Sequence, residues 1–63
     1  MKMIQCHTYK DNQKIWITAD SIESFKEADY GTDIFMKSGQ WIAVNESLTD
    51  IQNMIYRLCE IGN

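Results

Sequence analysis

The chain reads as a small α+β domain: a small antiparallel β-sheet of three to five strands, with one C-terminal amphipathic helix packed on one face. Three observations predict it. Apolar and polar residues alternate through the first segments, the period-two pattern of half-buried strands. A β-rich run, Ile34-Phe35-Met36, and its return, Trp41 to Val44, flank a Ser38-Gly39 turn signal. Behind Ser47, Leu48, Ile51, Ile55 and Leu58 recur at spacings of three and four, an apolar helical stripe.

The elements follow in order. Lys2 to Tyr9 alternates Ile4, Cys6 and Thr8 against Met3, Gln5 and His7, which predicts a strand. Asp11-Asn12 suits the positive φ of a tight hairpin turn. Lys14 to Thr18 returns with Ile15 and Ile17 on one face and Trp16 and Thr18 on the other. Ala19 to Asp29 is open to two readings. Asp20 can cap a helical turn that brings Ile22 and Phe25 together, or a short turn at Asp20-Ser21 precedes an irregular strand. The strand is the favoured reading. Asp29-Tyr30-Gly31-Thr32 is a turn, and Asp33 to Lys37 is a strand. Ser38-Gly39 is a two-residue hairpin connection, and Gln40 to Val44 pairs Trp41 and Ala43 on one face with Ile42 and Val44 on the other. Ser47 caps a helix over roughly residues 48–60, with Asp50 as a weak capping-box partner and Gly62 as its stop. Thr49, Gln52, Asn53, Tyr56 and Glu60 fall on its polar face.

At 63 residues, one domain is expected over the whole chain. A domain this small buries only about 60% of the surface its unfolded chain exposes. Such chains gain stability from disulfides, a metal, or association. No apolar signal run precedes Cys6, so a reducing, cytoplasmic setting with Cys6 and Cys59 as free thiols is expected. Association is then the expected route, as a homodimer or a hetero-complex.

Charge narrows the partner class. The net charge is −3, which argues against direct nucleic-acid binding, since that needs a basic surface to displace counterions. The acidity is concentrated: Asp20, Glu23, Glu27, Asp29 and Asp33 stand against Lys26 alone, a net of −4, while the rest of the chain sums to +1.

Residues for chemistry are few. Cys6 and His7 are the only adjacent Cys/His pair, and strand neighbours point to opposite faces, so they do not form a nucleophile and base. Two cysteines and one histidine fall short of a metal site. No enzyme, cofactor or metal is therefore expected. Tryptophan is favoured at interfaces. Trp16 and Trp41 are candidate contacts, with one core and one peripheral as the ordinary arrangement. Tyr30, Gln52 and Tyr56 join them on the turn and the helix, and the acids Asp20, Glu23, Glu27, Asp29 and Asp33 form a second candidate surface.

The run from Met3 to Ile55 resembles the small flagellar proteins of the FlbD/SwrD type. Their pattern of strand, turn, strand, acidic Ile-Glu-x-Ile/Phe segment, hairpin and Glu-Ser before a short helix is matched by several segments here. These are Met3-Ile4, Ile15-Trp16-Ile17, Ile22-Glu23-Ser24-Phe25, Thr32-Asp33-Ile34, Gly39 and Glu46-Ser47-Leu48. The family's Thr-Arg-Leu-Asn-Gly opening is replaced by His7-Thr8-Tyr9-Lys10-Asp11-Asn12, and its Pro-Asp-Thr turn by Asp29-Tyr30-Gly31-Thr32-Asp33. The stretch from Gly39 to Leu48 is also similar to the last strand and helix of LytTR-type DNA-binding domains, although the chain is shorter and more acidic than a whole one. The flagellar resemblance implies a non-enzymatic regulatory domain acting through a protein–protein interface. The alternative expectation is a phage- or prophage-type inhibitor of a host nucleic-acid-handling enzyme, with the acids of 20–33 imitating phosphates.

Overall fold

The computed structural model describes residues 2–61, with side chains through Leu58. The elements are β1 (Met3–His7), β2 (Lys14–Thr18), a 3₁₀ turn (Ala19–Ser21), β3 (Ile22–Ala28), β4 (Gly31–Met36), β5 (Trp41–Val44) and α1 (Leu48–Ile61). The α+β class holds. The strands form two antiparallel sheets rather than one, β1-β2 and β3-β4-β5. They are stitched by a bridge between Thr8 and Val44, with the Tyr9 N–H donating to the Ala43 carbonyl and the Asn45 N–H to the His7 carbonyl. At the far end, the 3₁₀ turn ties into both sheets: the Ala19 N–H reaches the Lys2 carbonyl, and the Lys37 N–H reaches that of Ser21.

Alternation decides what is buried. Ile4 pairs with Ile17 and Cys6 with Ile15, all on the inner face; Gln5 pairs with Trp16 on the outer one. In the second sheet, Ile34 sits between Phe25 and Ile42, and Thr32 pairs with Val44. Ile4, Cys6, Ile17, Ile34, Val44 and Ile51 make the core. Ile51 brings α1 onto it, and Met54, Ile55 and Leu58 pack beside it. Ser47 caps the helix as expected: its Oγ accepts the Asp50 N–H at 3.1 Å. Gly62, expected to stop the helix, lies outside the described residues, as do the side chains of Cys59 and Glu60.

Three local readings are corrected. β1 ends at His7, not Tyr9, because Thr8 turns to the loop: its N–H bonds the Gln13 carbonyl, and its Oγ1 accepts the Gln13 N–H. The β4–β5 loop holds three residues, Lys37 to Gly39, closed by a Met36 N–H bond to the Gln40 carbonyl. Gly39 at φ 96° supplies the left-handed position that such loops need. The two-residue connection lies instead at Asp29-Tyr30, since Ala28 pairs with Gly31, so Gly31 and Thr32 belong to β4. The favoured reading of the next segment holds: a short turn at Ala19–Ser21 leads into an irregular strand, in which Ile22 and Phe25 share the inner side at a spacing of three. A bulge between Ile22 and Ser24 inserts Glu23 and shifts the alternation by one residue.

Candidate protein-binding face

The outer face of β3-β4-β5 gathers aromatic rings. Phe35 and Trp41 are cross-strand partners, their centroids 6.4 Å apart. Beside them, Asp33 pairs with Ala43, and the Tyr9 backbone bonds Ala43, which brings the β1–β2 loop alongside β5. Tyr9 then stacks on Tyr30, with centroids 4.2 Å apart and planes 23° from parallel. The Tyr30 hydroxyl donates to the Asp33 carboxylate. That bond, with some burial and the negative charge of Asp33, pushes the phenol up to about 12. Tyr30 is therefore a neutral donor at ordinary pH, and the stack is fixed by a hydrogen bond rather than by ring contact alone.

Exposure shows what this face costs in water. Trp41 is 57% exposed and Tyr9 46%. Between them runs a groove of about 300 Å³ lined by Tyr9, Lys10, Asp11, Trp41, Ile42 and Ala43. A cluster of exposed rings on a rigid sheet is the composition of an interface core.

The expected arrangement of one core and one peripheral tryptophan is corrected, since both are on the surface. Trp16, 60% exposed, stands on the other sheet opposite Gln5. Alternation forces this, because Ile15 and Ile17 take the inner positions of β2. On the helix, Gln52 and Tyr56 face solvent, Tyr56 at 71%.

The acids divide. Asp20 is in the 3₁₀ turn, Glu23 in the bulge and Asp29 in the β3–β4 turn, all exposed. Asp33 lies on the aromatic face opposite Lys26, whereas Glu27 pairs with Thr32 on the other side of the strand. The run from Asp20 to Asp33 is contiguous in sequence but not one strip in space.

A second polar site, which the sequence reading missed, joins β1 to the α1 entry. His7 Nδ1 lies 2.7 Å from Glu46 Oε2, and the His7 N–H donates to Oε1 at 2.9 Å. The Thr32 hydroxyl donates to the Glu46 carbonyl at 2.8 Å. Burial works to raise the Glu46 pKa, but the bonds from the His7 ring and backbone outweigh it and hold the carboxyl below its ordinary value. The one available signal was an acid beside the helix cap, which reads equally as a dipole partner. Behind this pair, a groove of about 320 Å³ runs between β1 and α1, with Gln5, Asp50, Asn53 and Arg57 along it.

Cys6 and His7 point apart. The Cys6 thiol is fully buried, and burial, with Glu46 adding, pushes it up to about 12. A thiol held protonated is a poor nucleophile. The His7 ring engages Glu46, not sulfur.

No protein-family model matches the chain, and no curated protein or solved structure is significantly similar to it.

Proposed function

We propose that this chain is a non-enzymatic protein-binding domain whose contact surface is the outer face of β3-β4-β5. The supporting observation is the cluster of Tyr9, Tyr30, Phe35 and Trp41, in which half-buried Tyr30, bonded to Asp33, and half-buried Phe35 back the exposed rings of Tyr9 and Trp41. Rigid rings bind with little loss of side-chain entropy, and desolvating them supplies the affinity. The resemblance to FlbD/SwrD-type proteins supplies the setting we favour, an accessory interaction in flagellar function.

The test is affinity capture from the native host with three proteins: the wild type, Trp41→Ala, and Tyr56→Ala as a control on the exposed helix face. The expected result is a specific partner retained by the wild type and Tyr56→Ala and lost with Trp41→Ala, all three remaining folded by circular dichroism. A partner that Trp41→Ala still captures and Tyr56→Ala does not would move the site to the helix and refute this reading.

A further inference from the structure

Resting on that reading, we infer that the groove between Tyr9 and Trp41 takes an extended proline-rich peptide carrying a basic residue. Three observations point there. The first is the shape of the walls. Tyr9 is held against Tyr30, and Trp41 against Phe35, while the small Ala43 lies between them as a floor. Grooves walled by fixed aromatic rings suit polyproline II segments, whose prolines pack against ring faces and are already ordered before binding.

The second is the strand edge. β5 is the last strand of its sheet, and its link to β1 covers only its C-terminal half, from Ala43 to Asn45. The β1–β2 loop then turns away through Thr8 to Gln13, so among the described residues no strand pairs with Trp41 and Ile42 on the side away from β4. That length is too short for an added β-strand, which needs a ladder of main-chain bonds. A polyproline II peptide needs no ladder. The β3 edge, by contrast, carries Glu23, Lys26 and Glu27 and a bulge, devices that repel strand addition.

The third is charge. Lys10 and Asp11 both line the groove and balance, Asp33 anchors Tyr30 opposite Lys26, and exposed Asp29, which precedes Tyr30, is left over as one negative charge. The excess is negative, which complements an arginine or lysine flanking the prolines and not a phosphate backbone.

The experiment is a displayed random-peptide library panned on the intact chain, followed by fluorescence anisotropy with the enriched peptides. The expected result is enrichment of peptides with spaced prolines and an adjacent Arg or Lys. These should weaken roughly tenfold or more with Trp41→Ala or Tyr9→Ala, be largely restored by Trp41→Phe, and be unaffected by Tyr56→Ala. Charge reversal by Asp11→Lys with Asp29→Lys should lower affinity for the basic peptides. Enrichment of proline-free peptides that still need Trp41 overturns the proline-rich class alone. Enrichment of peptides indifferent to Trp41 overturns both this inference and the binding face. Failure to enrich anything overturns the inference. So does a wild-type dimer that Trp41→Ala dissociates in light scattering, which would give the groove to a second copy, or Trp41-dependent binding of oligothymidylate.

Discussion

Tyr9 stacks on Tyr30 with ring centroids 4.2 Å apart, joining the loop after β1 to the turn after β3. The two residues are far apart in sequence, and the contact forms only when both hairpins have docked. The stack thus reports on the tertiary fold, and its Tyr30 half is fixed by a hydrogen bond from the Tyr30 hydroxyl to Asp33.

Titration checks that bond. Tyr30 is raised to about 12 first by its hydrogen bond to Asp33. Near-ultraviolet phenolate absorbance is expected to show one late step near that pH. Tyr30→Phe should remove the step. Asp33→Asn should bring it down, because the neighbouring negative charge that disfavours phenolate is gone. A late step surviving in Tyr30→Phe would assign it to another tyrosine and contradict the geometry.

The His7–Glu46 clasp predicts acid sensitivity. Glu46 has its pKa lowered in the folded chain, so its contribution is present above its unfolded pKa and fades as pH falls through the folded value. Glu46→Gln is expected to flatten the loss of stability on the acid side and to cost about 1.5–3 kcal/mol near neutral pH, as for hydrogen bonds to a charged group. The lower end is expected, because the His7 side chain is 36% exposed and the pair is partly screened. Urea midpoints across pH measure it; an unchanged acid limb in Glu46→Gln would refute the assignment.

Two glycines separate conformation from contact. An added Cβ at Gly31 would lie 2.3 Å from the Val44 carbonyl oxygen, a backbone atom that cannot move without breaking β4-β5. At Gly39 nothing lies within 4 Å, and only the φ of 96° is at issue. Gly39→Ala should therefore cost about 1–2 kcal/mol, and Gly31→Ala clearly more, by the same denaturation. Equal costs would show that β5 does not approach Gly31 as described.

Core and surface should differ on the helix. Ile51 is fully buried, and Ile51→Ala is expected to cost about 2–5 kcal/mol. For a chain of this length, with total stability on the order of 0.05–0.15 kcal/mol per residue, that approaches complete unfolding. Tyr56→Ala should stay within about 0.5 kcal/mol. Thermal melts followed by circular dichroism compare the two directly, and a stable Ile51→Ala would mean that α1 is not docked through this residue.

Much of the fold was legible because it depends on short-range periodicity. Ile15 and Ile17, Ile42 and Val44, and the Leu48-to-Leu58 stripe all announce their faces by spacing, and Ser47 announces the helix start. The 22–28 segment was ambiguous for a physical reason: the Glu23 bulge converts period two into a spacing of three, which mimics a helix. The β3–β4 turn came out shorter than expected because Asp29-Tyr30 lacks a turn glycine of its own and borrows Gly31 at the head of β4. For the site, Trp41 and Tyr30 were visible as candidate residues. Tyr9 and Phe35 were not, because their roles arise from pairing between hairpins, and alternation alone does not say which outer face stays bare. Glu46 was hidden likewise, its partner His7 lying 39 positions away.

The most direct test of the binding face is salt and charge dependence of partner capture. At 1 M salt the Debye length falls to about 3 Å, so contacts made by desolvated aromatic rings persist while exposed ion pairs are lost. The account predicts a partner retained in high salt, retained by a variant with Glu23 and Glu27 reversed to lysine, and lost with Trp41→Ala. A partner released by salt and by the charge reversals, yet still held by Trp41→Ala, would contradict it and favour the acidic inhibitor instead.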